Sequence, residues 1–194
     1  MLNENFVWVG FAISMTGAFS YLMATLRGRA RPNRVSFLIW AAAPLIAFVA
    51  ELDEGVGLRS VMTLSVGLSP LLILSASFVS KKAYWRVTGF DLVCGALAVV
   101  ALVLWRLTGS GNIGIGLSIL ADGLAALPIL IKSWRHPHTE VSWIYFGGAT
   151  NATIAMLVID KWTFANAAFP IYIFTCCVVV ASTIEIRKRI VSIR

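Results

Sequence analysis

Long apolar runs, separated by short polar segments, dominate this chain and limit the folds open to it. Several of these runs approach the ~20 residues that an α-helix needs to cross a bilayer. The composition agrees, because 59% of the residues are hydrophobic and 13% are charged, whereas about a quarter are charged in soluble domains. The sequence therefore predicts an all-α integral membrane protein whose main partner is the lipid bilayer.

The apolar runs predict seven transmembrane helices. The second helix is short for a span, and an acidic turn at residues 51–54 is expected to close it. A basic, proline-containing loop is expected after the fifth. The expected helix bounds are 6–26, 35–50, 56–79, 90–107, 112–131, 140–159 and 165–186.

Basic residues fall mainly at one end of these helices. Thirteen of the sixteen Lys and Arg residues lie after helices 1, 3 and 5 or in the C-terminal tail. Since cytoplasmic segments carry the excess of Lys and Arg, we expect the N-terminus outside and the C-terminus in the cytoplasm. The net charge of +7 has the same origin, so no nucleic-acid partner is expected. The absence of long loops and reachable glycosylation sites fits a bacterial inner membrane.

Two stretches 105 residues apart follow the same order of features. A basic segment with Pro32 precedes Val-Ser-Phe at 35–37, and a basic segment with Pro137 precedes Val-Ser-Trp at 141–143. Parallel repeats of this kind occur in transporters, with the substrate site between them near the midplane. The chain is thus predicted to comprise a first three-helix repeat (1–80), a linker helix 4 (81–108) and a second three-helix repeat with a basic tail (109–194).

The fifth helix carries Leu127-Pro128-Ile129, followed by Lys132-Ser133-Trp134. Together with the 3+1+3 plan, this segment resembles the proline-glutamine helix and basic exit of the SWEET and PQ-loop superfamily. The resemblance implies a transporter that moves a small polar solute by alternating access. It departs at Ile129, where the family has glutamine, and at Met23, where the first repeat lacks the proline. The asparagine pair of the sugar-transporting members has no clear counterpart, so a sugar substrate is not implied.

Asp122 lies near the middle of the fifth apolar run. A carboxylate there costs roughly 2.5–3.5 kcal/mol on insertion scales, so such groups usually face protein or a water-filled cavity and often mark proton pathways. Small residues share its helix face at i, i+4 spacing, which again favours an inward orientation. Asp122 either takes up and releases protons or is a structural acid hydrogen-bonded to Ser118 or Asn151. The family resemblance implies the first role.

Three further side chains are candidates for a site shared with Asp122. Asn151 could hydrogen-bond a solute between the repeats, or it could form an interhelical bond worth about 0.6 kcal/mol. Trp40 could stack on a solute or anchor its helix at the membrane interface. Ser118 lies one turn before Asp122. The predicted substrate or proton site comprises Asp122, Asn151, Trp40 and Ser118.

Four prolines fall inside predicted spans. Each removes a backbone hydrogen bond, and the freed carbonyl must be satisfied by protein or water. In transporters such prolines can serve as hinges, and static kinks are the alternative. The predicted hinge prolines are Pro44, Pro70, Pro128 and Pro170.

Other kinds of site are not expected. No nucleophile and base form a catalytic arrangement, so the sequence does not predict an enzyme. The His136-Pro137-His138 segment lacks a third metal ligand nearby, and the G-x-G-x-x-G match at 109–114 falls between membrane helices and not in a strand–turn–helix unit. Neither a metal nor another cofactor is therefore expected. The main alternative function is a seven-helix receptor without transport, as the KDEL receptor shows for this architecture. Small-residue stripes could support a homo-oligomer.

Overall fold

The computed structural model describes residues 5–53, 58, 60–80, 82–83, 85–108, 111–159 and 162–192. Some helical side chains within these ranges, that of Ser118 among them, lie outside the described part. Throughout the described ranges, regular structure is helical and no strand occurs. The seven α-helices are α1 (Phe6–Leu26), α2 (Arg34–Asp53), α3 (Ser60–Val79), α4 (Gly89–Thr108), α5 (Gly111–Arg135), α6 (Trp143–Leu157) and α7 (Phe164–Ser192).

The predicted seven helices are confirmed in number and order within the described residues. Three helical stretches there are long and apolar enough to cross a membrane. They are α1, α3 and the part of α7 from Ala167 to Ser192.

Two helices continue past their predicted ends. α2 reaches Asp53 and is 20 residues long, so the prediction of a short second helix closed at residue 51 is wrong. α5 continues to Arg135, which makes Lys132 helical and corrects the prediction of a loop there. Basic side chains in a last turn favour the helix because they face the negative end of its dipole. Pro137 follows closely and cannot continue the helix.

The sixth helix is shorter than predicted, and the seventh is longer. Residues Pro137–Thr139 form a separate 3₁₀ turn, and Glu140 is extended with φ −117° and ψ 152°. α6 therefore begins only at Trp143. α7 includes the basic segment 187–189, which was expected to form a tail.

The helices pack as two triplets, α1–α3 and α5–α7. In each triplet the third helix packs against both others: α3 against α1 and α2, and α7 against α5 and α6. The triplets meet through a broad contact between α1 and α6 and a narrower one between α2 and α5. We call the surface formed by these four helices the seam. α4 lies against its α2–α5 side.

The α1–α6 part of the seam is close enough to require glycine. A Cβ atom on Gly17 would lie 2.6 Å from the carbonyl oxygen of Trp143. A Cβ atom on Gly10 would lie 2.7 Å from Oδ1 of Asn151. Both distances are shorter than a carbon–oxygen contact tolerates, and at Gly17 the two helices approach almost backbone to backbone.

An aromatic chain crosses the seam. The ring centroids of Tyr21 and Phe37 lie 5.4 Å apart, and those of Phe37 and Trp40 lie 5.6 Å apart. Trp40 in turn lies 6.5 Å from Tyr145 of α6. Aromatic pairs at such separations contribute about 0.5–1.5 kcal/mol each beyond their buried area. The chain therefore helps to hold the first triplet against the second.

Candidate functional site

Asp122 lies on the face of α5 that meets α7 and α2. The Tyr172 hydroxyl of α7 donates a hydrogen bond to Asp122 Oδ2 at 2.7 Å. The Trp40 indole N–H of α2 donates to the Asp122 backbone carbonyl at 3.3 Å. Asp122 thus points into the protein, as expected. It is not bonded to Asn151, one of the two partners expected for a structural acid, and Tyr172 takes that place.

Trp40 is the predicted site residue that the structure brings to Asp122. Its side chain is half-buried and packs against two apolar clusters, one around Phe37 and Ile129 and one around Ala121 and Ala125. It reaches from the first triplet to two helices of the second, because its ring meets Tyr145 of α6 and its N–H donates to the Asp122 carbonyl of α5. Its role beside a solute or as an anchor at the membrane interface stays a prediction.

Asn151 lies in a different part of the seam. Its Nδ2 donates to Ser65 Oγ of α3 at 3.1 Å, and its Oδ1 is buried without a hydrogen-bond partner among the described residues. Val7, Met62 and Ile154 form a small apolar cluster at this level. The structure therefore gives Asn151 the interhelical bond considered as its alternative role and does not bring it to Asp122. The side chain of Ser118 lies outside the described residues.

The four predicted hinge prolines all lie inside α-helices. Pro44 is in α2 and Pro70 in α3, while Pro128 is in α5 and Pro170 in α7. The first three are buried, and Pro170 is half-buried. Their role as hinges stays a prediction.

A second polar group, which the sequence analysis did not identify, joins the triplets at one end of the bundle. This end carries the connections α1–α2, α3–α4 and α5–α6, and we call it the basic end. Lys132 Nζ of α5 lies 2.5 Å from Glu140 Oε1, and the Tyr21 hydroxyl of α1 donates to Glu140 Oε2 at 2.7 Å. All three side chains are buried. We call them the Lys–Glu–Tyr cluster.

Backbone groups complete this link between the triplets. Lys132 Nζ also donates to the carbonyl oxygen of Arg31, in the connection between α1 and α2. The Arg31 backbone N–H donates to the Thr139 carbonyl at 3.0 Å. A buried charge must be paired and hydrogen-bonded to be tolerated. The ion pair itself lies within the second triplet, and the bonds from Tyr21 and to the Arg31 carbonyl join it to the first.

The Tyr145 hydroxyl lies beside the cluster. It is buried close to the Glu140 carboxylate but forms no hydrogen bond of ordinary geometry with the residues that the structure describes. An unpaired buried hydroxyl loses its hydration without compensation.

A third polar contact fixes α4 to the basic end. Asn33 Nδ2 donates to Asp91 Oδ1 at 2.9 Å, and both side chains are buried. Thr88 and Asp91 form a capping box, because the Thr88 N–H donates to Asp91 Oδ2 and the Asp91 N–H donates to Thr88 Oγ1. Such reciprocal bonds satisfy the free N–H groups at a helix start. Asp91 thus caps the N-terminal end of α4 and joins it to the first triplet through the hydrogen bond from Asn33.

Among the described residues, no group of three or more His, Cys, Asp or Glu side chains could hold a metal ion. His136 contacts Trp85, with ring centroids 5.6 Å apart. The candidate site therefore comprises the hydrogen-bonded pair of Asp122 and Tyr172 between α5 and α7, with Trp40 of α2 beside it, and the Lys–Glu–Tyr cluster at the basic end.

Comparison with known proteins adds no relative. No family model matches the chain, and neither a curated protein nor a solved structure matches it.

Proposed function

We propose that the protein is a membrane transporter of the SWEET and PQ-loop type, which moves a small polar solute between its triplets by alternating access. The observation that carries the proposal is the Asp122 carboxylate of α5, which accepts a hydrogen bond from Tyr172 of α7 next to the point where Trp40 crosses the seam to the Asp122 backbone carbonyl. Intramembrane carboxylates that face the bundle interior commonly serve ion or solute pathways. Sites between repeated helix bundles are the usual substrate sites of secondary transporters.

The outer surface of the bundle supports embedding of all seven helices in a bilayer. Soluble proteins rarely expose large continuous apolar patches, yet one side of α4 is apolar along most of its length. Its exposed apolar residues are Phe90, Leu92, Val93, Leu97, Val99, Val100, Val103, Leu104 and Leu107. The basic end then faces the cytoplasm and the N-terminus lies outside, because cytoplasmic segments carry the excess of Lys and Arg.

The packing order supports two parallel repeats. A two-fold axis along the membrane normal that exchanges α1 with α5, α2 with α6 and α3 with α7 converts the α1–α6 contact into the α2–α5 contact. Both contacts occur, and the third helix is central in each triplet. Helix α4 then acts as the linker that lets the second triplet enter with the orientation of the first.

Alternating access requires the basic end to open to the cytoplasm. In the present structure this end is closed, because Lys132 and Glu140 of the second triplet bind Tyr21 and Arg31 of the first. Opening must therefore break the Lys–Glu–Tyr cluster and let its charges meet water. Pro128 lies one helical turn before Lys132, so a bend of α5 there would move Lys132.

Asp122 is the group that couples transport to protons or holds a polar group of the solute. Tyr172 can hydrogen-bond both the ionised and the protonated carboxyl group, since a phenol both donates and accepts hydrogen bonds. Trp40 supplies an apolar face beside it. A water-poor seam strengthens the interaction of Asp122 with any cation or hydroxyl that enters.

Proteoliposomes test this function. Purified protein is reconstituted with a pH-sensitive dye inside, and labelled amino acids and sugars are supplied with and without a pH gradient. We expect solute uptake that follows the gradient, and we expect Asp122→Asn to abolish gradient-driven uptake with folding intact. Glu185→Gln is the matched control, because Glu185 lies near the cytoplasmic end of α7, where its carboxylate accepts a hydrogen bond from Ser142 and lies near Lys188.

Two other outcomes would contradict parts of the proposed function. Undiminished gradient-driven uptake by the Asp122→Asn variant would contradict the proton role. Saturable solute binding without flux would contradict transport and favour the receptor of the same architecture.

A further inference from the structure

A cleft of about 520 Å³ opens at the basic end between the start of α4 and the end of α5. Its size falls within the range of roughly 300–1,000 Å³ that is usual for small-molecule sites. It shares Lys132 with the Lys–Glu–Tyr cluster, and its lining does not include Asp122, Tyr172 or Trp40. Its walls are formed by residues 85–91 and by the last two turns of α5.

The polar side of the cleft carries two arginines that are not paired. Arg86 and Arg135 line it and are exposed, and neither forms an ion pair with another described residue. His136 lies beside them and stacks edge-on against Trp85. Guanidinium groups suit phosphate oxygens in geometry and charge, and an imidazole N–H can add a further donor.

The other charged groups of the lining already have partners. Asp91 uses both carboxylate oxygens, one to accept from Asn33 and one to accept from the Thr88 N–H. Lys132 is paired with Glu140, and its Nζ lies 4.8 Å from the Trp85 ring centre. The two arginines outnumber the one carboxylate of the lining, so the cleft carries a net positive charge that an anion can meet.

The remaining wall of the cleft is apolar. Phe90 is 47% exposed and Ile131 is 39% exposed, and Pro128 lies one turn deeper on α5. With the basic end at the cytoplasmic surface, Arg135 is at the level of the headgroups and Ile131 is at the start of the hydrocarbon. The wall continues into the exposed apolar side of α4. The cleft thus has charged groups at one end and an apolar wall at the other, which suit the headgroup and the acyl chain of an amphiphile.

We propose that this cleft binds an anionic phospholipid of the cytoplasmic leaflet, with its phosphate on Arg86 and Arg135 and an acyl chain along Phe90 and Ile131. Basic pockets between membrane helices on the cytoplasmic side are suited to such headgroups. Soluble phosphate esters share the headgroup chemistry but leave the apolar wall uncovered. The proposal depends on the membrane orientation given above and not on transport.

The test measures lipid binding to the purified full chain by native mass spectrometry. Dioleoylphosphatidylglycerol is titrated in the presence of a zwitterionic detergent, and dioleoylphosphatidylcholine serves as the zwitterionic lipid without net charge. The variant Arg86→Gln/Arg135→Gln is compared with Arg27→Gln/Arg29→Gln, which removes the same charge from exposed positions at the same end. A basic side chain in contact with an anionic lipid headgroup contributes roughly a fivefold factor in affinity.

We expect the first variant to bind phosphatidylglycerol about thirtyfold more weakly than the parent, on the basis of two such factors. The control variant and the affinity for phosphatidylcholine should change little. Equal losses in both variants, or no loss in the first, would overturn the proposal. Displacement of the lipid by glycerol 3-phosphate at similar concentration would also overturn it, because the site would then recognise a soluble ester. Neither result depends on solute flux.

Discussion

Lys132 and Glu140 form a buried ion pair in which Nζ lies 2.5 Å from Oε1, and their side chains are 1% and 0% exposed. The residues are close in sequence but stand on opposite sides of the turn that ends α5. Glu140 also accepts a hydrogen bond from Tyr21 of the other triplet. The pair therefore couples the conformation of the α5–α6 connection to the packing of the second triplet against the first.

Removing one member of this pair should destabilise the fold strongly. We expect Glu140→Gln and Lys132→Met each to cost about 3–5 kcal/mol, because each leaves a buried charge without its partner. The double variant should cost much less than the sum. Unfolding in detergent, followed by intrinsic fluorescence, measures all three. Lys188→Met is the control, since the partly exposed Lys188–Glu185 pair should contribute about 0–1 kcal/mol. Strict additivity would exclude the coupling.

Tyr172→Phe should weaken the structure around Asp122. It removes the hydroxyl that donates to Oδ2 at 2.7 Å, and a bond to a charged or buried acid contributes about 1–3 kcal/mol. Gradient-driven uptake should fall with it. Tyr145→Phe is a matched control, because the Tyr145 hydroxyl is buried without an ordinary hydrogen bond and its removal should be nearly neutral. Equal effects of the two substitutions on unfolding would contradict the assignment.

Gly17→Ala should separate α1 from α6. The added Cβ would lie 2.6 Å from the Trp143 carbonyl oxygen, and overpacking of this kind costs about 1–3 kcal/mol. Gly116→Ala is the control, because a Cβ there meets nothing within 4 Å. That change should be neutral or should stabilise by up to about 1 kcal/mol. Thermal unfolding of both variants measures these changes in stability. A neutral Gly17→Ala would show that the contact between Gly17 and the Trp143 backbone is not tight.

Asn151→Ala should affect stability modestly and uptake little. Its Nδ2 bond to Ser65 Oγ is an interhelical bond within the bundle, and such bonds average about 0.6 kcal/mol. A double-mutant cycle with Ser65→Ala measures the coupling between the two side chains. A large loss of uptake with unchanged stability would place Asn151 in the solute path after all.

Helix positions could be predicted because each apolar run is long and its neighbours are polar. The ends were harder to predict, since Lys132 was assigned to a loop on the basis of its charge although α5 continues through it. A hydropathy pattern predicts that a charged residue is exposed, because it contains no information on partners. Lys132 is buried because Glu140 pairs with it. The inward orientation of Asp122 followed from the cost of exposing a carboxylate to lipid.

The partner of Asp122 could not be predicted in the same way. Tyr172 lies 50 residues away, and its contact depends on how α7 packs against α5, which no local pattern specifies. Position along the helices was a usable signal, because both residues lie eight to eleven residues beyond the start of their helices. Asn151 was grouped with Asp122 because it is polar and central, but the packing of α6 aims it at α3.

The glycine contacts of α1 and α6 also distinguish two sides of the bundle that a two-fold axis would make alike. Where Gly17 meets the Trp143 backbone, the triplets cannot slide apart without losing a line of main-chain packing. A rotation that keeps this line intact uses it as a pivot, and displacement then grows with distance from it. The largest displacement falls at the far side, where Trp40 of α2 bonds to Asp122 of α5.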